Sequence, residues 1–395
     1  MNVGGSHAWR MPPGWNPRNF ERLLVNRAIA FLLGAVGSLV TLSIVMLTSA
    51  TMLKPTYALV LKQAVACLIG FGGLALVGAL DYRRWERWVW WVYGLVVVLL
   101  ALTISPLGTS TNGAQRWLWG TQPSDFAKPA IILALAWYGA RYTHHIHRFW
   151  RGTVVMLFIP LAPLALILAE PDKGTSALLA LVSFLLMLVA GVRISHVVLP
   201  VAAVLALFVS LVNSSDYARR RWETYLNPAG NRDAYYQVQQ GLYAFGAGGV
   251  EGTGLGQGTF KFKIPEQHTD FIFPVVGEEL GLTFTLGVLA AYLTILFCGA
   301  IITSRAADRF GELLAAGSTF LIAAQACINM GVVTDLLPNK GMPLPLLSRG
   351  GTGVVVMLTL VGILVSVARR AVPAEIAKTA DGQSNPFAAD TDFPG

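Results

Sequence analysis

Residues 261–281, KFKIPEQHTDFIFPVVGEELG, carry seven ionisable side chains in an otherwise apolar chain. Asp270 lies at the centre of this run with His268 close by, and a carboxylate so placed could accept a proton from a reacting hydroxyl group. Pro274 is tolerated only in the first turn of a helix, so a helix is predicted to start near 270–273, with Asp270 at its N-terminal edge. An aspartate is also a good N-cap, and this structural role stays open beside the catalytic one.

Two further carboxylates, Glu278 and Glu279, follow about two helical turns deeper, roughly 12 Å along the axis at about 1.5 Å per residue. Charged groups at that depth are costly unless they are paired or line a polar cavity. On the other side of Asp270, Lys261 and Lys263 alternate with phenylalanines, a pattern that predicts a segment lying along the membrane interface.

Cations in other segments could meet an anionic substrate. Arg116 could hold a phosphate group or serve as an interfacial anchor, and the sequence leaves both interpretations open. Lys128 falls one turn inside the next predicted helix, where Asp125 is a candidate partner three residues away. We favour a functional role for Lys128, because a lysine inside a membrane is costly and usually lines a cavity or pairs.

Residues 337–352 contain three prolines and three glycines, which break the membrane segment there. Lys340, Ser348 and Arg349 bring polar groups into this break. Non-helical backbone at membrane depth should line a cavity, so we expect these residues to face one.

Three other patterns give weaker signals. The turn Glu170–Thr175 predicts either a solvated turn in which Thr175 caps a helix, or carboxylate ligands for a hard cation. His144, His145 and His147 predict a solvated surface run and not a metal site, because no carboxylate accompanies them. The glycine-rich residues 246–258 predict a flexible loop, or a backbone that approaches the membrane or a bulky ligand.

Membrane helices must position these residues. The 395 residues are 54% hydrophobic and 13% charged, with a mean hydropathy of +0.58, which excludes an ordinary soluble domain. We therefore predict an all-α polytopic membrane protein with ten transmembrane helices and a long extracytoplasmic loop between helices 7 and 8. The predicted spans are 27–50, 58–80, 88–105, 124–141, 152–170, 174–192, 196–213, 271–303, 312–336 and 343–368.

The net charge of +8 falls mainly in short loops, which predicts contact with membrane lipids and no nucleic acid. Arginine-rich loops alternate with loops that carry few cations, so the positive-inside rule places the arginine-rich loops and both termini in the cytoplasm. The predicted organisation is a cytoplasmic tail at 1–26, a membrane domain at 27–370 with the long loop at 214–270, and a disordered cytoplasmic tail at 371–395. The basic cluster Arg219–Arg221 lies in the long loop.

Six motifs together resemble the SEDS family of shape, elongation, division and sporulation proteins, which includes FtsW, RodA and SpoVE. They are GAQRW at 113–117, QPSDFAK at 122–128, EPDKGT at 170–175, YQVQQ at 236–240, PEQHTDFIFPVVGEELG at 265–281 and PNKGMPLPLLSRGG at 338–351. The lysine in the last motif makes the chain look more like FtsW than RodA. Three residues depart from the family's usual pattern: Lys173, Pro274 and Arg349.

The resemblance implies a peptidoglycan glycosyltransferase that polymerises lipid II at the outer face of the bacterial cytoplasmic membrane, during division or elongation. Asp270 would be its general base, and Arg116, Lys128 and Lys340 would bind the substrate. The further candidate substrate-binding residues are His268, Gln240, Lys263, Glu278 and Ser348. The implied partner is a class B penicillin-binding protein, the transpeptidase. A divalent cation, Mg²⁺ or Mn²⁺, is a candidate cofactor without an assigned site.

Two alternatives belong to other classes of protein. A lipid II flippase would also need many helices and charges inside the membrane, although this chain concentrates its charges in the predicted outer loops. A scaffold that only recruits the transpeptidase would not need the Asp270 carboxylate. Both remain open on the sequence, and a polymerisation assay with Asp270→Asn separates them from the enzyme.

Overall fold

The structure, a computed structural model, describes residues 17–51, 57–111, 114–198, 223–227 and 232–371, with single positions at 202, 206, 210 and 230. Several predictions fall outside these residues. They concern residues 1–16, most of the seventh predicted span at 196–213, the cluster Arg219–Arg221 and the tail beyond 371.

Helices dominate the described fold. In chain order they are α1 (Pro17–Ala50), α2 (Tyr57–Ala79), α3 (Val89–Ile104), α4 (Pro123–Arg141), α5 (Val155–Ala169), α6 (Lys173–Ala190), α7 (Arg232–Gly248), α8 (Ile272–Ser304), α9 (Arg309–Val333) and α10 (Gly351–Arg369). Seven of the described helical segments are long and apolar enough to cross a membrane, and α3 is a shorter apolar helix. This confirms the predicted polytopic helical membrane protein. The predicted total of ten spans depends partly on residues that the structure does not describe.

The helices divide into inner and outer ones. The apolar stretches of α9 and α10 are 67% and 72% buried, against 22% for α2 and 33% for α1. In the outer helices the exposed positions are large and apolar, as Leu68 and Phe31 illustrate. Such surfaces suit lipid, because a bilayer solvates apolar side chains. The inner helices α9 and α10 therefore form the buried centre of the bundle, and α9 carries two of the polar residues described below, Gln325 and Asn329.

The long helix α8 is interrupted at Gly281. This residue has φ 74° and ψ −173°, which divides the helix in two, whereas the sequence pattern predicted one unbroken span over 271–303. A backbone conformation of this kind is almost restricted to glycine. The first part, from Ile272 to Leu280, is buried almost throughout, and the second part crosses the membrane.

The last helix, α10, begins at Gly351, eight residues after the predicted start at 343. The chain from Asn339 to Gly350 is irregular. Pro343 and Pro345 explain the delay, because proline disfavours a helical conformation of the residue before it and cannot donate a backbone hydrogen bond. A small antiparallel hairpin is a further addition to the predicted all-α fold: β1 (Thr109–Thr111) pairs with β2 (Ala114–Trp117).

One end of the bundle gathers the arginine-rich loops, and we call it the arginine end. Arg83 forms an ion pair with Asp308 at 2.7 Å, Arg370 pairs with Asp81 at 3.2 Å, and Arg305 pairs with Glu21. Helices α8 and α10 finish at this end. The chain before α8, which contains Asp270, therefore lies at the opposite end, which we call the Asp270 end.

Candidate active site

Asp270 is held at the junction of α8, α9 and the irregular segment before α10. The Nδ2 atom of Asn329 on α9 donates to the carbonyl oxygen of Asp270 at 2.8 Å and to that of Met342 at 2.6 Å. Asn329 is buried, so its amide works as an internal clamp between the two chain segments. The Asp270 side chain itself is half-buried.

Gly341 lies directly against the Asp270 carboxylate. A Cβ atom added at Gly341 would come within 2.6 Å of Asp270 Oδ2. Only glycine leaves room for the carboxylate at this distance. The half-buried Lys340 is the preceding residue, so the backbone brings the segment of this predicted cation beside the predicted base.

Two more contacts fasten the same segments together. Ser348 donates from its hydroxyl group to the carbonyl oxygen of Thr269 at 2.5 Å and accepts from the backbone N–H of Leu344 at 2.7 Å. The backbone N–H of Arg349 donates to the carbonyl oxygen of His268 at 2.9 Å. Ser348 is buried, and its described contacts hold the backbone beside Asp270.

Lys128 reaches this region through one intermediary. Its Nζ atom donates to Asp125 Oδ1 at 2.8 Å and lies 3.3 Å from Gln325 Oε1, while Gln325 Nε2 donates to the carbonyl oxygen of Pro343 at 2.8 Å. The lysine is only 4% exposed. The partner expected from the sequence, Asp125, is present, and the additional amide links the lysine to the segment that carries Lys340.

Arg116 ties the β-hairpin to the turn between α5 and α6. Its Nη2 atom donates to the carbonyl oxygen of Pro171 at 2.7 Å, and its Nε atom donates to that of Glu170 at 3.3 Å. The turn touches the Asp270 region, since a Cβ atom at Gly174 would lie 3.5 Å from the Met342 methyl group. Arg116 thus lies on a chain of contacts that leads to Asp270.

The Glu170 carboxyl group is unusual. It is 1% exposed, and neither of its oxygens has a hydrogen-bond partner among the residues that the structure describes. Burial, with a smaller contribution from the charge of Asp172, raises the pKa of Glu170 to about 8, although Arg116 acts in the opposite direction. The Glu170 side chain is therefore mostly protonated at pH 7.

The cap of α6 differs from the predicted one. Asp172 is the N-cap, and its carboxylate accepts from the backbone N–H of Thr175 at 3.1 Å and from the Thr175 hydroxyl group at 2.8 Å. Thr175 is therefore a donor to the cap and not the cap itself. Aspartate and threonine are both good caps, and the sequence alone does not choose between them.

Glu278 and Glu279 lie in a closed network away from solvent. Glu278 accepts from the backbone N–H groups of Thr259, Phe260 and Lys261 at 2.6, 2.7 and 3.0 Å. Glu278, a predicted substrate-binding residue, is fully buried. Its hydrogen bonds hold the chain segment that precedes Asp270.

The neighbouring Glu279 forms an ion pair with Lys261 at 2.5 Å and accepts from Ser49 of α1 at 2.6 and 2.7 Å. Lys261 is fully buried, so its predicted place along the interface is wrong, whereas Lys263 is exposed. Lys261 lies inside the protein because it pairs with the buried carboxylate of Glu279, and a charge at that depth needs a partner.

The glycine-rich segment is packed against α8 and is not a loose loop. Added Cβ atoms at Gly248 and Gly252 would lie 1.9 Å and 2.3 Å from carbonyl oxygens of α8. Thr253 and Gly254 donate backbone hydrogen bonds to Glu278 and Glu279 at 2.9 and 3.0 Å. Because they have no side chains, these glycines let the segment lie directly against the backbone of α8. The start of the segment, up to Gly248, belongs to α7.

The remaining predicted residues lie around this centre. His268 is half-buried, and burial together with the Arg349 charge lowers its pKa despite the opposing charge of Glu266. Gln240 is buried on α7, and Lys263 lies with its Nζ atom 4.9 Å from the Phe260 ring centre.

Three residues that sequence reasoning missed are amides: Asn329, Gln325 and Gln237. Gln237 of α7 donates to the carbonyl oxygen of Pro265 at 2.8 Å and accepts from Asn339 at 3.2 Å, so it connects α7 to both segments beside Asp270. The signal for the first two was available, because Gln325 and Asn329 are polar residues four apart in an apolar helix.

No group of three or more potential metal ligands occurs among the described residues. Of the predicted site residues, Asp270, His268, Lys340 and Ser348 lie on adjoining segments at the Asp270 end, and Lys128 is linked to them through Gln325.

Comparison with known proteins agrees with this geometry. The sequence profile of the FtsW, RodA and SpoVE proteins, described as "Cell cycle protein", matches residues 23–372. A probable peptidoglycan glycosyltransferase FtsW of Geobacter sulfurreducens is 34% identical over 370 residues, which cover 90% of this chain and 98% of the relative. The stage V sporulation protein E of Bacillus subtilis is 36% identical over 315 residues, 78% of this chain and 86% of that protein.

Solved structures show the same architecture. A chain from a peptidoglycan synthase complex, described as coordinating polymerization and crosslinking, superposes with a TM-score of 0.72 at 27% identity, covering 86% of this chain and 96% of that one. The rod shape determining protein RodA of Thermus thermophilus gives a TM-score of 0.62 at 25% identity, over 86% of this chain and 95% of RodA. The chain is therefore a member of the SEDS family of FtsW, RodA and SpoVE, with its nearer sequence likeness on the FtsW side.

Proposed function

We propose that this chain is a peptidoglycan glycosyltransferase that polymerises lipid II, with Asp270 as its general base. The observation that carries the proposal is the setting of Asp270: a half-buried carboxylate that Asn329 and Gly341 place beside the Lys340 segment. The FtsW relatives, which are named as probable peptidoglycan glycosyltransferases, support the reaction class.

In the proposed reaction Asp270 takes the proton from the 4-hydroxyl group of an acceptor GlcNAc. The freed oxygen attacks C1 of the donor MurNAc, a new glycosidic bond forms, and the bond from C1 to the diphosphate breaks with inversion. The undecaprenyl diphosphate leaves with both bonding electrons. A general base of this kind contributes about 10²–10⁴-fold to rate.

Cations must meet the charge that develops on the leaving diphosphate. Arg116, Lys128 and Lys340 are the proposed groups. Arg116 donates from Nε and one Nη atom to backbone carbonyl oxygens, and Lys128 is already paired with Asp125. We expect Arg116 and Lys340 to make the direct contacts and Lys128 to hold the segment behind them through Gln325.

Mg²⁺ or Mn²⁺ is the proposed cofactor, and it would neutralise part of the diphosphate charge. Among the described residues no group of three or more potential protein ligands occurs. No protein residue is assigned to the ion, and the proposed steps do not depend on it.

The proposed location is the bacterial cytoplasmic membrane, with the arginine end in the cytoplasm and the Asp270 end outside. The positive-inside rule supports this orientation, because the described arginine loops meet at one end of the bundle. The proposed partner is a class B penicillin-binding protein. The support for a partner is the structural likeness to a complex that coordinates polymerization and crosslinking.

The test is polymerisation of purified lipid II by Asp270→Asn, in which the carboxylate becomes an amide of the same shape. We expect the rate to fall at least about 100-fold. Glu251→Gln is the matched control, since Glu251 is an exposed carboxylate whose side chain makes no hydrogen bond among the described residues, and this variant should keep the wild-type rate. Glycan synthesis by Asp270→Asn at the wild-type rate would contradict the proposal. Wild-type protein that moved lipid II across liposomes without polymerising it would favour the flippase.

A further inference from the structure

A second polar site lies at the arginine end, far along the helices from Asp270. It is a cleft of about 320 Å³ between the first turns of α1 and the last turns of α8 and α10. Three of its lining side chains are guanidinium groups, from Arg22, Arg305 and Arg369, and one is the carboxylate of Glu21. Three positive charges against one negative charge leave the lining with a net charge of +2.

The carboxylate is already committed to one arginine. Glu21 and Arg305 form an ion pair in which both side chains are partly buried. Among the described residues no hydrogen bond is made by the Arg22 side chain, and Arg369 reaches only the carbonyl oxygen of Gly78 at 3.5 Å. Both of these arginines are exposed, so two guanidinium groups face the cleft with most of their donors unused.

Arg370 shows what a structural arginine looks like at the same helix end. It pairs with Asp81 at 3.2 Å and donates to the carbonyl oxygens of Ser366 at 3.0 Å and Ala79 at 3.2 Å. The adjacent Arg369 makes no such set of contacts within the described residues. Arg370 therefore makes the contacts that stabilise the end of α10, and Arg369 can bind an external acceptor.

The position of the cleft indicates where that acceptor comes from. It lies at the ends of three apolar helices, which is the level of the lipid headgroups. Val25 and Ala368 give it an apolar wall, and Leu23 on the adjoining turn is 48% exposed. Guanidinium groups bind phosphate oxygens in a paired, planar arrangement, and basic clefts between membrane helices suit acidic lipid headgroups.

We propose that this cleft binds a phosphate ester, supplied by the headgroup of an anionic phospholipid in the leaflet at the arginine end. Arg22 and Arg369 contact the phosphate oxygens. Arg305 adds charge while Glu21 keeps it in place. The wall formed by Val25 and Ala368 receives the glycerol and the first part of the acyl chain.

The experiment titrates the purified full chain with phosphatidylglycerol in mixed micelles and follows bound lipid by native mass spectrometry. Phosphatidylcholine and inorganic phosphate are the comparison ligands. We expect tight binding of phosphatidylglycerol alone, and roughly 30-fold weaker binding by Arg22→Gln/Arg369→Gln, because each arginine contributes about 1 kcal/mol.

Arg84→Gln/Arg87→Gln is the matched control. It removes two exposed arginines from the same end of the bundle, outside the cleft, and should leave binding unchanged. Wild-type binding by the cleft variant would overturn the proposal, and so would an equal loss in the control, which would show a response to net charge alone. Inorganic phosphate bound as tightly as the lipid would overturn the lipid as the source. Melting curves without lipid, and unchanged polymerisation of lipid II, establish that the variants are folded.

Discussion

The carboxylates at the two ends of the first part of α8 have opposite surroundings. Glu278 and Glu279 are fully engaged by backbone N–H groups, Ser49 and Lys261. Asp270 is half-buried at the junction of α8, α9 and the irregular segment before α10, and near the same end the buried Glu170 has both oxygens unpartnered among the described residues. We interpret Glu278 and Glu279 as framework and the Asp270 end as the reaction site.

The largest effect is expected where the close packing of backbone around Gly281 is disturbed. Gly281→Ala forces a side chain into φ 74°, with its Cβ 2.4 Å from the carbonyl oxygen of Val250. We expect a loss of at least about 3 kcal/mol of folding free energy, or no folded protein. Thermal melting in detergent measures it. Gly287→Ala is the matched control, because a Cβ there meets nothing within 4 Å; equal melting of the two variants would contradict the packing.

Glu278→Gln tests the saturated carboxylate itself. The amide can accept at one atom but presents an N–H₂ group to the donors at the other, so charge-assisted hydrogen bonds are lost in a buried site. We expect a loss of about 2 kcal/mol of stability, read as a lower melting temperature. Unchanged stability, with activity lost, would instead place Glu278 among the substrate-binding residues.

Gly341→Ala disturbs the open site and should leave the framework intact. The added methyl group lies 2.6 Å from Asp270 Oδ2 and must displace the carboxylate. Displacement of about 1 Å costs about 100-fold in rate. We therefore expect polymerisation to slow by about 10–100-fold while the melting temperature stays near that of the wild type. A variant with full activity would show that the carboxylate position does not matter.

Glu170→Gln should have the smallest effect and a distinctive pH dependence. The pKa of Glu170 lies at about 8, above its ordinary value of 4.5, so between these values the folded protein holds a proton that the unfolded chain has lost. Stability from this group therefore falls as pH rises through that window. The glutamine variant should lose this slope, so its melting temperature should rise relative to that of the wild type as the pH increases from 5 to 8.5. Parallel melting curves from pH 5 to 9 would contradict the assignment.

Local patterns predicted part of the site. Pro274 correctly predicts the helix start, which is observed at Ile272, and with it Asp270 at the helix mouth. The N-cap is Phe271, so the N-cap role left open for Asp270 is wrong. Spacing of three residues also predicted the pair of Lys128 and Asp125. Both are short-range features, in which the backbone geometry of one helix turn determines which side chains meet.

The remaining features depend on distant partners. Ser49 and Glu279 are 230 positions apart, and Asn329 and Asp270 are 59 apart. Nothing local indicates that Gly252 must approach the backbone of α8, so the glycine pattern alone leaves open both a flexible loop and a close approach to the membrane or a ligand. The polarity of Asn329 in an apolar helix indicates that the amide has a partner, but it does not identify the carbonyl oxygens that the amide binds.

The most direct test measures polymerisation rate and melting temperature on one preparation of Asp270→Asn and one of Glu278→Gln, each with purified lipid II. The account predicts a rate at least about 100-fold lower with an unchanged melting temperature for Asp270→Asn, and a lower melting temperature for Glu278→Gln. Wild-type polymerisation by a well-folded Asp270→Asn would contradict the claim that Asp270 is the general base.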